Sequence, residues 1–205
     1  MEEHPPDLET ITRERSRGYQ VSIENILQRA FDLFRRSPAE MILFGLIFMI
    51  VNSNPLTSLL ISGPFIAGFY AAAAVLKGER YASFQDFFRG FEKFAPLLIV
   101  HLLTTLIIAL GFFLLIIPGL YFATVYLFSH AFVWFYDIPA TTALRYSHRT
   151  ISGNFWQMFL LMLIVGAINV AGAFAFGVGL LLTVPFGFCV IFAAFDDIIG
   201  IPSNT

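Results

Sequence analysis

The chain has 205 residues, of which 58% are hydrophobic and 13% are charged, and its formal net charge is −2. A soluble domain has about 25% charged and about 45–50% apolar residues, so this composition excludes an ordinary water-soluble fold. It predicts an all-α protein that spans a lipid bilayer, in which helices satisfy every backbone hydrogen bond. No basic run with interleaved aromatic residues is present, so we predict no nucleic-acid partner.

The first 18 residues are polar and contain no apolar stretch of the kind found in a signal peptide. We therefore predict a disordered cytoplasmic tail over 1–18. A single transmembrane domain is predicted over 19–200, followed by a short tail over 201–205. Cys189 is the only cysteine, which excludes an intramolecular disulfide.

An amphipathic helix is predicted over 22–36, because its apolar residues recur at the spacing of one helix face. Such a helix either lies in the membrane interface with its basic side toward lipid headgroups or packs on the protein's own membrane helices. The following apolar segment, 38–51, would be about 21 Å long, against about 30 Å of hydrocarbon. The sequence leaves open whether this segment spans fully.

Further apolar segments follow in chain order at 56–76, 94–117, 120–136, 155–176 and 183–195. Short amphipathic stretches that begin at Ser83 and Ala140 precede the third and fifth segments of the chain. The sequence therefore predicts a polytopic helical bundle with about six membrane segments and interfacial amphipathic helices.

An internal repeat is the most specific pattern in the sequence. Pro64, Pro118 and Pro185 each follow an apolar stretch and precede a run of aromatic and small residues that ends at a polar exit. We predict helix bends at these prolines and three units, at about 22–79, 83–137 and 140–197. Each unit contains a surface helix, a membrane helix, a bend and a second membrane helix, so three hairpins would surround a pseudo-threefold axis.

The charge distribution predicts the topology. All 12 Lys and Arg residues fall on one side of the membrane when the polar stretches are placed together, and the turns on the other side contain no charge. Cytoplasmic loops are rich in Lys and Arg, so both termini are predicted to be cytoplasmic.

Three polar residues at membrane depth are candidates for a polar membrane site: His101, His130 and Asn169. Polar side chains in a bilayer are costly and often mark a pathway or a ligand site. The two histidines lie in the cytoplasmic halves of adjacent segments and are expected to approach each other. Either they form a proton relay or ligand site, or they are hydrogen-bonded structural residues, and Asn169 is then an interhelical contact.

A basic cluster with helical spacing is formed by Arg145, His148 and Arg149. Three basic side chains on one face of a surface helix are predicted to contact a lipid phosphate or, more simply, to meet the headgroup layer.

Three carboxylates, Asp137, Asp196 and Asp197, occupy equivalent exits of the repeat. We predict a belt of ion pairs with Arg89, Arg145 or Arg149 of neighbouring units, with a cation site as the alternative.

No catalytic motif is found: the sequence has no metal-binding signature, phosphate-binding loop, dinucleotide fingerprint or nucleophile with a base. We therefore predict that the chain is not an enzyme and carries no metal and no cofactor. Glycine pairs are interpreted as close helix packing, and the 25 Phe residues as lipid-facing bulk and interface anchors.

Several stretches resemble those of a known group: GFY…KGE-x-x-x-SFQDFFRGF, the LLIIPGLY bend, and the 147–153 loop followed by the LLLTVP bend. They are similar to an uncharacterised bacterial family of multi-pass inner-membrane proteins related to the membrane domain of glycerophosphodiester phosphodiesterases. The resemblance covers about 22–197 and implies the hairpin architecture and an inner-membrane location. It implies no activity, because the soluble phosphodiesterase domain is not part of this sequence.

Three functions fit these patterns. The first is a non-enzymatic scaffold, regulator or accessory module that acts through its cytoplasmic helices, the lipid bilayer and anionic phospholipid headgroups, with a protein partner or a second copy. The second is a small transporter or channel for a small or amphiphilic, lipid-like solute, which would need a polar path through the bundle. The third is a lipid-modifying enzyme, which would need a cluster of carboxylates and histidines at the cytoplasmic interface.

Overall fold

The computed structural model describes residues 8–78, 81–175 and 177–202, and this part of the chain is helical, with no strand. Its elements, in chain order, are α1 (Leu8–Arg15), α2 (Ile23–Arg36), α3 (Pro38–Asn52), α4 (Pro55–Gly78), the 3-10 helix η1 (Phe84–Lys93), α5 (Phe94–Leu114), α6 (Ile116–Val125), α7 (Ser129–Tyr136), α8 (Ala140–Ser152), α9 (Phe155–Phe174) and α10 (Leu180–Ile198).

Within the described residues, five helical stretches are long and apolar enough to cross a membrane, and α3 is a sixth, shorter apolar helix. The long stretches are Pro55–Gly78, Phe84–Leu114, Ile116–Tyr136, Phe155–Phe174 and Leu180–Ile198. These helices make the chain a multi-pass membrane protein, and the predicted all-α helical bundle is confirmed.

The helices form three units with the same order: surface helix, peripheral helix, central helix. The surface helices are α2, η1 and α8, the peripheral helices are α3, α5 and α9, and the central helices are α4, α6 with α7, and α10. In the central stretches half or more of the residues are buried inside the protein, whereas in the stretches containing α5 and α9 fewer than a quarter are. The central helices therefore form the core, and the peripheral helices present most of their surface to lipid.

The units pack in a closed cycle. Each peripheral helix contacts its own central helix and that of the preceding unit: α3 contacts α4 and α10, α5 contacts α6 and α4, and α9 contacts α10 and α6. Each surface helix packs on the central helix of the preceding unit, with α2 on α10, η1 on α4 and α8 on α7. This cyclic order is what a pseudo-threefold arrangement requires.

Buried residues recur at equivalent positions in the units. The fourth residue of each peripheral helix is buried: Met41, Leu97 and Met158. The seventh is buried as well: Phe44, Val100 and Leu161. The fourth residue of each surface helix is also buried: Ile26, Phe87 and Ala143. The three units thus share a packing register as well as an order of elements.

The prolines do not mark the points at which the chain reverses. Pro64 and Pro185 lie inside the continuous helices α4 and α10, and Pro118 is the third residue of α6. The reversals fall at 53–54, at Leu115 and between α9 and α10, so the three prolines lie within helices rather than at the connections between them. Proline is tolerated in membrane helices where neighbours pack around the interrupted hydrogen bonds. In the first turn of a helix its missing N–H costs nothing.

Glycines close two of the three hairpins. A Cβ atom on Gly111 would lie 3.0 Å from Cα of Gly119, and one on Gly172 would lie 3.0 Å from the carbonyl carbon of Gly179. The backbones of α5 and α6, and of α9 and the start of α10, therefore meet where only glycine fits. The first hairpin uses Asn52 instead, whose side-chain oxygen accepts hydrogen bonds from serine hydroxyls of α4.

The short helix α3 begins below the end of its neighbour α10, so it does not need to span the full length of the bundle. It runs alongside α10, with Met41 Sδ 3.5 Å from Cys189 Sγ and Gly45 against the ring of Pro185. Cys189 lies seven residues before Asp196. The helix α3 therefore begins about one turn short of the level of Asp196, and α2, which packs on α10, covers the remaining length.

The N-terminal segment is ordered from Leu8 onward, which corrects the predicted disordered tail. Helix α1 packs on α8, Thr12 is fully buried, and the Asn154 side-chain amide donates a hydrogen bond to the carbonyl of Tyr19. Burial raises the pKa of the Tyr19 hydroxyl. The tail gains a packing partner in α8 that its own composition does not reveal. Residues 1–7, Glu79 of the first predicted unit and residues 203–205 lie outside the described residues.

Candidate functional site

The two membrane histidines are in contact. His101 is the eighth residue of α5, His130 is the second residue of α7, and Nδ1 of His101 lies 3.3 Å from Nε2 of His130. The antiparallel packing of these helices brings the rings together, so the expected approach is observed. A tautomer in which one ring donates to the other satisfies two polar atoms that would otherwise be unpaired among apolar side chains.

Helix α4 packs against one side of this histidine pair. A Cβ atom on Gly63 of α4 would lie 3.0 Å from Cβ of His101, and His130 is only 8% exposed. The nearby Thr104 hydroxyl bonds back to carbonyls of its own helix. Among the described residues no group of three or more His, Cys, Asp or Glu side chains is placed to hold a metal ion. The two rings can therefore share one hydrogen bond, and no third side chain of these types joins them in the described part of the chain.

Asn169 lies at a different interface. Its amide donates to the carbonyl of Val165 in its own helix at 3.0 Å and faces Gly187 of α10, and its side-chain oxygen is buried. Asn169 is the fifteenth residue of α9, so it lies roughly 10 Å farther along its helix than His101 does along α5. The structure therefore brings two of the three candidate residues together and leaves the third in the contact between α9 and α10.

The basic side chains of α8 point in three directions. His148 Nε2 lies 2.9 Å from the Tyr121 hydroxyl, and Arg149 lies 3.9 Å from the carboxylate of Glu9. The guanidinium of Arg145 lies over the ring of Tyr146 at 5.6 Å. Each of the three groups therefore has a partner of its own within the protein, and their contact with a lipid phosphate stays a prediction.

A cluster of ion pairs joins the first and third units at the ends of their central helices. Asp196 accepts from Arg29 at 2.5 Å and from Lys77 at 2.7 Å, and Asp197 accepts from Arg29 at 2.9 Å. The side chain of Asp196 is only 3% exposed. The cluster ties α2, α4 and α10 together and lines a polar cavity of about 150 Å³.

The predicted belt of ion pairs therefore exists with other partners. The aspartates at 196 and 197 pair with Arg29 and Lys77, and Asp137 pairs with Lys93 at 2.9 Å. Arg89, one of the predicted partners, instead lies 3.9 Å from Glu92 on its own helix. The pairing follows from ring closure, which places the first unit beside the third, and the basic neighbours of the carboxylates disfavour the alternative cation site.

The centre of the bundle is filled by aromatic rings. Phe69 of α4 stacks on Phe188 of α10 with centroids 4.4 Å apart, and Phe44 of α3 contacts several rings around it. A second group joins α7 to α10 through Phe132 and Phe195. Many phenylalanines thus build the core rather than the lipid-facing surface predicted from composition. An apolar cavity of about 70 Å³ lies between α9 and its neighbours.

No family model matches the chain, and no curated protein and no solved structure matches it. The fold and the sites described above therefore define its class, a multi-pass α-helical membrane protein built from three units. The resemblance to the bacterial inner-membrane family stays a prediction.

A double-mutant cycle tests the histidine pair. We expect His101→Leu and His130→Leu each to lower the free energy of unfolding by about 1 kcal/mol, because each leaves one imidazole unpaired. The double variant should lose less than the sum, with a coupling of about 0.6 kcal/mol, as for other hydrogen bonds between membrane helices. Unfolding by SDS in mixed micelles measures these values, and strict additivity would show that the rings do not interact.

Proposed function

We propose that this chain is a non-enzymatic scaffold or accessory module of the bacterial inner membrane, with both termini in the cytoplasm. The observation that carries the proposal is the filled centre of the bundle. Aromatic rings occupy the space between the central helices, where a transporter would need a polar path.

The arrangement of polar groups supports the same function. The membrane histidines contact each other, whereas Asn169 donates to the carbonyl of Val165 at a different helix contact, so the three side chains do not line one polar path. The third hypothesis, a lipid-modifying enzyme, needs carboxylates and histidines converging at the interface. Instead the buried carboxylate Asp196 is engaged by Arg29 and Lys77.

The distribution of charge favours a cytoplasmic interaction surface. The charged side chains of the described residues lie in the surface helices and α1, in their connections, or in the end turns of membrane helices next to them. The opposite turns at 53–54, 115 and 177–179 contain no charged residue. A face rich in Lys and Arg is cytoplasmic, so the surface helices are the part of the molecule available to a protein partner in that compartment.

Photo-cross-linking in native membranes tests this function. A photoreactive amino acid replaces the exposed residue Gln85 or Thr141, each on a different surface helix. The matched controls are the tip positions Phe113 and Val178, which are exposed near the turns at the opposite end of the bundle. We expect the two surface-helix positions to give an adduct with the same protein, identified by mass spectrometry. The tip positions should give adducts with lipid alone.

A transport assay tests the alternative hypothesis, that the chain carries a solute across the membrane. The chain is reconstituted into liposomes with an internal pH dye and an imposed proton gradient. We expect their proton leak to equal that of protein-free liposomes. A gradient-driven flux that His101→Leu abolishes, together with no protein adduct at Gln85 or Thr141, would refute the scaffold function in favour of transport.

A further inference from the structure

An apolar groove lies between the first surface helix and the last central helix. It has a volume of about 310 Å³ and is lined by Phe31 and Phe34 of α2 and by Leu182, Thr183 and Phe186 of α10. The lining residues of α10 lie ten to fourteen residues before Asp196, or roughly 15–21 Å along the helix axis. The groove therefore reaches hydrocarbon depth and opens on the lipid-facing side of the protein.

The α2 wall of the groove carries a cation. The guanidinium of Arg35 lies 5.4 Å from the ring centroid of Phe31, and that ring is 51% exposed. The other basic residues of this helix are engaged elsewhere: Arg29 pairs with Asp196 and Asp197, and Arg36 donates to the carbonyl of Leu76. Helical spacing places Arg35 with Phe31 on the groove side, whereas Arg29 and Arg36 line the ion-pair cavity.

We infer that this groove is a binding site for one anionic phospholipid of the cytoplasmic leaflet, with an acyl chain between α2 and α10 and the phosphate on Arg35. The site combines an apolar slot that water would occupy poorly with a positive charge three residues before α3 enters the membrane. An exposed arginine at that depth extends its head toward the phosphate layer while its stem covers apolar surface. This charge complementarity selects an anionic lipid over a zwitterionic one and over an apolar segment of a second copy. The inference does not depend on the scaffold function.

Lipid titration followed by native mass spectrometry tests the site. The purified full chain in mild detergent is titrated with phosphatidylglycerol or with phosphatidylcholine of the same acyl chains, and the bound lipid is counted. We expect one phosphatidylglycerol to bind about fivefold more tightly than phosphatidylcholine, because one basic residue near the headgroups contributes about that factor. Arg35→Ala should remove the preference, and Leu182→Trp, which fills the groove, should weaken binding of both lipids.

Arg89→Ala is the matched control, since Arg89 belongs to another surface helix, η1, and its 40% exposed side chain lies 3.9 Å from Glu92. We expect it to leave the preference unchanged. Equal loss of preference in Arg35→Ala and Arg89→Ala would overturn the site, since it would mean unspecific headgroup attraction. A protein dimer that Leu182→Trp dissociates, with no lipid retained, would also overturn it by making a second copy the occupant.

Discussion

Gly68→Ala is expected to lower the free energy of unfolding by about 3 kcal/mol, the upper part of the range for overpacking a close contact. Gly68 lies in α4 where η1 crosses it, and a Cβ atom there would overlap the backbone carbonyl of Phe87. Gly90 of η1 makes the reciprocal contact with the carbonyl of Pro64. Backbone carbonyls cannot turn aside as side chains do, so the two helices must separate. SDS unfolding in mixed micelles, followed by circular dichroism, measures the loss.

Gly166→Ala is the control for this substitution. Gly166 also lies in a membrane helix, α9, but a Cβ atom there would meet no atom within 4 Å. Alanine is a better helix former than glycine, so the variant should be as stable as the wild type or slightly more so. If Gly68→Ala loses no more than Gly166→Ala, the close crossing of η1 over α4 is absent in solution.

The membrane architecture is predictable from the sequence because it depends on local patterns. Apolar length identifies the spans, and the amphipathic stretches beginning at Ser22, Ser83 and Ala140 identify the surface helices. The positions of the reversals are less predictable. Pro64 is a turn signal in water, but in α4 it continues a helix, because neighbouring helices pack around the interrupted backbone. The true reversal at Leu115 carries no turn residue of its own, and its closure depends on Gly111 and Gly119.

Among the candidate sites, too, some contacts are predictable from the sequence and others are not. The contact between His101 and His130 is predictable, since both lie at similar depth in the two arms of one hairpin. The partners of Asp196 are not, because they depend on the third unit closing against the first. No local spacing encodes that closure. The cyclic order of the units does encode it. If the contact between successive units also applies between the third unit and the first, Arg29 is placed beside Asp196.

Asp196→Asn is expected to lower the free energy of unfolding by about 2 kcal/mol. Removing one partner of a buried ion pair costs about 3–5 kcal/mol, and here the loss is smaller because the side chains of Arg29 and Lys77 are 42% and 44% exposed and regain water. Asp197→Asn should cost only about 0.5 kcal/mol, because its side chain is 37% exposed and it holds Arg29 alone. The same SDS titration compares the two isosteric variants.

The dependence on salt further distinguishes the stability effects of Asp196→Asn and Asp197→Asn. Exposed charges are screened at high ionic strength and buried ones much less, so in 0.5 M salt, roughly a 4 Å screening length, the effect of Asp197→Asn should disappear. The effect of Asp196→Asn should persist, because its carboxylate is 3% exposed and sits between α2, α4 and α10. Persistence means that this aspartate closes the ring of three units. Equal and equally screened losses would instead make it an ordinary surface pair, and the closure would then depend on the aromatic core alone.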